Sequence, residues 1–340
     1  MFFKGRDVLS LADLTDAEMS ELVAFGRELK GRFHAGEPID FLSGAQLFML
    51  DPGNHYGGFN PLAIAMTQLG GVATRIDASG PREKLGETWL DRARLMDLSG
   101  NGLAATGQGE EYGHGFMEEL AEVLKAPLFN LMSDMAAPFQ ALSTLLTLHE
   151  YRGEKLEESR AALLWAPPGQ AQKTTALPLS LAEMFLRQGI SLRMACPSRF
   201  HPGGEAAEYL DAFMPGGFEL SEDPGEALDS ADLVFSMNWT PEAGTEDLEE
   251  LAAMGSEYSD WRMNSELLSL AAPEAIVGGG LPQSRDNEID GALLDDPRSI
   301  HMEEGANLLH ISKAVLALFL DPAIAGSAGS VGEEHDSTIQ

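Results

Sequence analysis

Strand-length apolar runs alternate with segments of helical period, and the alternation occurs twice in succession, which leaves few folds open to the chain. AQLFMLD (45–51) is followed by a Gly-rich stretch and then by PLAIAMTQLGG, whose Pro61 suits a first helical turn and whose Gly70 suits a C-terminal stop. VATRIDAS, a helix from about Thr88 to Leu98, GLAATG, the helix GFMEELAEVLKA and PLFNLMS continue the series, with GPREKLGE read as an exposed loop. Ahead of them LADLTDAEMSELVAFGRELKGRF has Thr15 as an N-cap with Glu18 three residues on, the pattern of a capping box. Strands alternating with helices predict a parallel sheet covered on both faces.

A helix over 138–153 carries the chain out of this first sheet, and a second alternation begins. RAALLWAP, ISLRMACP, GFELSED, DLVFSMNW and AIVGGGLP are its strands; LPLSLAEMFLRQG, EAAEYLDAF, PGEALDSA and MNSELLSLA are its helices. The reading is an α/β chain of two doubly wound parallel-sheet domains, residues 1–148 and 149–302. Helix 303–320 packs back on the first domain, and a tail over 321–340 lacks apolar periodicity and is expected to be disordered. Ligands of such sheets bind outside the carboxyl ends of the strands. The loops 51–60, 80–88, 106–115, 166–176, 237–244 and 278–286, and a cleft between the domains, are therefore where a site is expected.

Charge and cysteine usage exclude several classes. With 54 Asp and Glu against 22 Lys and Arg, the formal charge of −32 is spread along the chain, which fits a solubility adaptation and repels nucleic acid and anionic membranes. The start MFFKGRDVLS lacks the apolar run of a signal peptide, and AVLALFL (314–320) is too short to span a bilayer. The single Cys196, in an apolar strand before Pro197, reads as a buried inert thiol, and the chain as a cytoplasmic protein. No zinc spacing, dinucleotide-binding glycine fingerprint or serine nucleophile elbow is present, so neither metal nor cofactor is expected.

Several runs, in order, carry a resemblance to a known family. KGRDVLSLADLT, AMTQLGG, EELAEVLKAP, SELLSLAAPEAI and HISKAVLALFL resemble the aspartate/ornithine carbamoyltransferase family over about residues 3–320. Within it, LLWAP (163–167), LPLSLAEMF and MNW (237–239) are most similar to the N-acetyl- and N-succinylornithine branch. The resemblance implies a carbamoyl-phosphate-type N-terminal domain, an amino-acid-binding-type C-terminal domain and interdomain helices. It further implies carbamoyl transfer to an amine without metal or cofactor, and a homotrimer with sites at subunit borders. In the branch it also implies a shallow knot in the region after Trp165.

The family's functional motifs are largely replaced. Its Ser-Thr-Arg-Thr-Arg phosphate grip falls on His55, Tyr56, Gly57, Gly58 and Phe59, and its arginine after the third strand falls on Thr106. His-Pro-x-Gln becomes Ala137, Pro138, Phe139 and Gln140; His-Cys-Leu-Pro becomes Gly279, Gly280, Leu281 and Pro282. The arginine of Glu-Asn-Arg is Leu308, and the branch's lysine before Asn-Trp is Met237. Gln140, Leu281, Pro282, Arg285 in the following loop, Asn238 and Trp239 are retained. Each lost charge-assisted phosphate contact costs about 1.5–3 kcal/mol, so several such losses weaken binding of carbamoyl phosphate by powers of ten.

The catalytic candidates are accordingly Gln140, Arg285 and His55. The binding candidates are Tyr56, Gly57, Gly58, Arg82, Lys84, Asn238, Trp239, Leu281 and Pro282. DPGNHYGGFNP, Gly-rich before a helix, is either an anion-accepting nest or a plain connection. Arg82 and Lys84 either reach a neighbouring subunit's site or are solvated, and GQAQKTT (169–175) is a weak phosphate-loop likeness or a Pro-flanked connection. The ligand expected is a small-molecule amino acid, an anionic donor being left open. The function expected is that of an ornithine/acylornithine-type carbamoyltransferase relative whose ordinary transfer is lost or altered; the alternatives are a non-catalytic amino-acid-binding or regulatory paralogue of an active enzyme, or use of a different acyl or phosphorylated donor.

Overall fold

The computed structural model describes residues 3–51, 59–78, 83–84, 87–107, 112–169, 173–213, 220–240, 245, 247–280 and 282–320. The chain divides into two compact units, residues 1–133 with 307–340, and residues 134–306. These divisions differ from the 148/149 and 302/303 boundaries read from the sequence. Helix α5 (Pro138–Arg152) lies wholly in the second unit, where the Ala137 N–H at its start donates to Ser180 Oγ at 2.9 Å. The tail at 321–340 lies outside the described residues.

In the first unit, α1 (Asp16–His34) starts at the capping box the sequence predicts: Glu18 N–H donates to Thr15 Oγ1 at 3.2 Å and Thr15 N–H to Glu18 Oε2 at 2.8 Å. Then follow β1 (Gln46–Asp51), α2 (Phe59–Gln68), β2 (Val72–Asp77), the two-residue strands β3 (Glu83–Lys84) and β4 (Glu87–Thr88), α3 (Trp89–Asp97), β5 (Gly102–Thr106), α4 (His114–Val123) and β6 (Leu128–Met132). The four longer strands form a parallel sheet in the order β2-β1-β5-β6, with Leu50, Leu103, Trp89, Phe116, Leu120 and Leu128 in one of its cores. Two expectations are corrected. The GPREKLGE segment contains a β3–β4 antiparallel pair in place of a plain loop. The sheet is not covered everywhere, because edge strand β2 is exposed along most of its length, Val72 to 56%.

The second unit has β7 (Arg160–Trp165), α6 (Ala176–Arg187), β8 (Ser191–Ala195), α7 (Glu205–Phe213), β9 (Leu220–Ser221), α8 (Pro224–Leu228), β10 (Leu233–Met237), α9 (Leu248–Glu257), α10 (Ser265–Leu268), β11 (Ile276–Gly278) and α11 (Gly291–Leu294). Its parallel sheet runs β11-β10-β7-β8-β9. Helix α9, capped by Asp247, is missing from the sequence reading: its stripe is short, Leu251 and Met254, and sits in an acidic stretch. Cys196 is fully buried and its thiol is pushed up to about 12 by burial, as an inert core group should be. The last helix, α12 (His301–Leu320), ends on Phe319, whose ring lies 5.1 Å from that of Phe3 and 5.9 Å from that of Phe129. No helix among the described residues is long and apolar enough to cross a membrane.

Candidate functional site

In a doubly wound sheet the crevice forms where the strand order reverses, outside the carboxyl ends of the two strands that flank the reversal. The first sheet reverses between β1 and β5, the second between β7 and β10.

At the first reversal, Asp51 closes β1 and Thr106 closes β5. Arg75 of neighbouring β2 donates from Nε to Asp51 Oδ2 at 2.7 Å and pairs with it again through Nη2, so this cation is committed to a carboxylate of the same sheet. Thr106 is buried, and its hydroxyl has no hydrogen-bond partner among the described residues. At the end of β6 the Ser133 hydroxyl lies 3.0 Å from His114 Nδ1 and accepts from Asn130 Nδ2 at 3.2 Å. The candidates His55, Tyr56, Gly57, Gly58 and Arg82 lie outside the described residues; Lys84 is placed only by its backbone, in β3.

The second reversal carries a dense polar network. Asn238, just past β10, accepts at Oδ1 from Lys173 N–H at 2.8 Å and donates from its backbone N–H to Glu288 Oε1 at 3.1 Å and again through Nδ2. Lys173 Nζ donates to Glu288 Oε1 at 2.8 Å and to the Pro282 carbonyl at 2.7 Å, and Ser284 N–H caps Glu288 Oε2 at 2.6 Å. Glu288 is fully buried, so its carboxylate depends on these donors. Three loops, after β7, β10 and β11, are thereby tied at one point. Of the sequence candidates, Asn238 and Pro282 meet here.

The others are placed apart from this network or have structural work. Trp239 is buried; its Nε1 donates to the Phe200 carbonyl at 3.0 Å, and its own carbonyl accepts from Trp165 Nε1 at 2.9 Å. Trp165 stacks on Phe200 at 4.2 Å, so the MNW phrase is an aromatic core feature on one side and a polar tie on the other. Arg285 is half-exposed, and its guanidinium grips Asp295 through two bonds, of 2.8 and 3.0 Å, and the Gly291 carbonyl at 2.8 Å. Gln140 occupies the first turn of α5, half-buried, and Leu281 lies outside the described residues.

Sequence reasoning missed four ionisable groups of this unit. Lys173 lay in a loop singled out for another reason, and nothing local marks Glu288. Glu304 and His301 come from the first turn of α12. Glu304 accepts at Oε1 from Thr144 Oγ1 at 2.6 Å and at Oε2 from Gly279 N–H at 3.4 Å, and burial pushes its carboxyl up to about 7. His301 is buried, its Nδ1 lies 2.9 Å from Ser299 Oγ, and burial pulls its ring down to about 4, so it is neutral at pH 7. No group of three or more metal-ligating side chains exists among the described residues.

Comparison with known proteins assigns both halves of the chain. Residues 6–150 match the family described as aspartate/ornithine carbamoyltransferase, carbamoyl-P binding domain, and residues 172–319 match the corresponding Asp/Orn binding domain. The ornithine carbamoyltransferase of Methanosarcina acetivorans is 31% identical over 311 residues, which are 92% of this chain and 98% of the relative. That of Pyrococcus abyssi is 28% identical, over 93% of this chain and 96% of the relative. Among solved structures, ornithine carbamoyltransferase from Pyrococcus furiosus superposes with a TM-score of 0.81 at 25% identity, covering 94% of this chain and 98% of its own. An acetylornithine transcarbamylase complexed with acetylcitrulline gives 0.77 at 20% identity, over 92% of this chain and 98% of its own, a likeness of fold alone. Matched over both of its domains, the chain belongs to the aspartate/ornithine carbamoyltransferase family.

Proposed function

We propose that the protein is a relative of the ornithine and acylornithine carbamoyltransferases in which ordinary transfer from carbamoyl phosphate is lost or altered. The observation that carries this reading is the kind of residue at the positions where the family holds its donor. Thr106 is a buried hydroxyl, Ala137 an apolar N-cap and Leu308 an aliphatic side chain, and the retained Arg285 is clamped by Asp295. A dianionic donor needs several converging cations, because transfer of this kind works by positioning and charge stabilisation. The reading keeps Gln140, Asn238 and Pro282 as ligand-contacting residues, in a cytoplasmic homotrimer.

A second reading, a non-catalytic amino-acid-binding or regulatory paralogue, is favoured by the contrast between donor positions stripped of charge and the intact polar network around Glu288. Calorimetric titration with carbamoyl phosphate, at low and high salt, tests the first reading. N-acetylornithine, N-succinylornithine and ornithine serve as second ligands. No donor binding is expected; micromolar donor binding overturns the reading, and binding of an amine without the donor selects the second one.

A further inference from the structure

At the opposite end of the second sheet from the network around Glu288, the amino ends of β7 and β8 border a pocket of about 190 Å³, counted with its open mouth. Its polar lining is Arg160, Ser191, Arg193 and Asp229. Ala161, Ala227 and Ala231 complete it; each is buried, and their short side chains leave the space open.

Strand pairing explains why the two arginines share a wall. Arg160 opens β7 in register with Ser191, which opens β8, and Ala162 is in register with Arg193. Residues paired across a parallel ladder, and residues two apart on one strand, point to the same face. Arg160, Ser191 and Arg193 therefore share a face with Ala162, which belongs to one core with Ala227, Leu228 and Ala231. Arg193 Nη1 donates to the carbonyls of Glu226 and Asp229, both at 3.2 Å, and this fixes its guanidinium against the turn that follows α8. That turn passes through Ser230 at φ 57, a backbone conformation that residues other than glycine rarely adopt.

The charges of this corner are only partly matched. A guanidinium has five N–H donors, and in Arg193 the two carbonyls use one nitrogen, so Nε and Nη2 remain; no carboxylate among the described residues forms an ion pair with it. Arg160 and Arg152 share a single carboxylate, Asp232, with Arg160 Nε at 3.6 Å and Arg152 Nη2 at 3.3 Å. The far end of the Arg160 fork is left over. The exposed Asp229 carboxylate accepts from Ser230 Oγ at 3.1 Å, and that of Glu226 from Ser221 Oγ at 2.6 Å. Three guanidiniums thus stand against Asp229 and Asp232, in a chain whose acids outnumber Lys and Arg by 54 to 22. A guanidinium fork meets a carboxylate through two parallel charge-assisted bonds, and a balance of one positive charge suits a monovalent anion better than a dianion.

We propose that this pocket at the amino ends of β7 and β8 binds a small carboxylate, gripped by the guanidiniums of Arg160 and Arg193 with the Ser191 hydroxyl at the rim. It lies at the other end of the sheet from the crevice and does not rest on the donor reading.

The test uses the full chain labelled with 15N-arginine and titrated with sodium acetate, sodium sulfate or sodium chloride at matched ionic strength. The Nε–H signals of Arg160 and Arg193 are assigned by their loss in Arg160→Gln and Arg193→Lys. Acetate is expected to shift both signals in a saturable way, with a Kd on the order of 1–10 mM, and chloride to give only a gradual drift. Arg160→Gln should weaken acetate binding at least tenfold at the Arg193 signal, or about 1.4 kcal/mol. Ser191→Asp sets a carboxylate at an exposed position of the rim and should remove the saturable shift with both arginines in place, whereas Ser191→Ala should weaken it by no more than about threefold. Acetate without saturation, sulfate or chloride saturating as tightly as acetate, or undiminished acetate binding in Ser191→Asp overturns the proposal. The first two of these outcomes are read on the unsubstituted protein. Carbamoyl phosphate is absent throughout, so failure here leaves the donor reading untouched.

Discussion

At the carboxyl end of the first sheet the described polar residues include an Asp51 already matched by Arg75, a buried Thr106 with no partner for its hydroxyl among them, and Ser133 beside His114 and Asn130. At the carboxyl end of the second, Lys173, Asn238, Ser284 and Glu288 lock three loops together, and His301, Gln283 and Ser236 gather around Gly279. Both sheets have the topology that makes a ligand crevice at a strand-order reversal. Among the described residues the two ends therefore share a topology and differ in side chains, and it is side chains, not the fold, that decide chemistry.

The sharpest way to break the comparison is to remove the cation of the second network. Lys173→Met leaves the buried Glu288 carboxylate with its hydrogen bonds from Asn238 and Ser284 but without its counter-charge, and should cost about 3 kcal/mol in urea unfolding. Lys173→Met with Glu288→Leu should recover much of that, because the double change removes the charge along with its partner. A loss well under 1 kcal/mol in the single variant would mean that water, not Lys173, supports the carboxylate.

Next in size are opposed pH effects at two buried groups in the first turn of α12. The unfolded state of His301 takes up a proton as pH falls from about 6.5 while the folded ring waits until about 4, so this group lowers stability as pH falls through that window. Glu304 works the other way: its folded carboxyl holds a proton up to about 7, so its contribution is lost as pH rises from about 4.5 to 7. Each amounts to about 3 kcal/mol at full extent. Relative to the parent, Glu304→Gln should make stability climb with pH across this range, and His301→Gln should make it decline. Urea midpoints taken every half unit of pH read both slopes, and two slopes of the same sign would refute the assignment.

Thr106→Val tests the first sheet. It removes a buried hydroxyl that has no partner among the described residues and should change unfolding stability by no more than about 1 kcal/mol, in either direction. A larger loss would show that the hydroxyl has a partner outside the described residues. The smallest effect is expected at Arg285→Ala: this pair with Asp295 is solvated, and the unfolding midpoint should stay within error.

Much of the architecture is legible in the sequence because a period of two residues or of 3.6 survives wherever a strand or helix buries one face. Thr15 with Glu18, Pro61 and Pro138 also mark helix starts that the structure contains, or places within a turn of the start. Helix α9 is not legible because two buried residues make too short a stripe, and the exposure of β2 is not legible because VATRID looks like any buried strand. In the site, the loops that carry Asn238 and Pro282 are readable from their place after strands, and the two residues themselves from the family resemblance. Lys173 and Glu288 are not: they are 115 positions apart in sequence, and only the strand order brings the loops after β7 and β11 to the same point. His301 escapes for the same reason, since nothing in HMEEG signals that its ring reaches Gly279.

Phosphate release from carbamoyl phosphate in the presence of ornithine or N-acetylornithine, with the Methanosarcina acetivorans ornithine carbamoyltransferase assayed alongside, tests the proposed loss or alteration of donor chemistry. With several charge-assisted contacts missing, kcat/KM should fall below that of the relative by roughly a thousandfold or more. A value within tenfold of the relative would mean that ordinary carbamoyl transfer is retained.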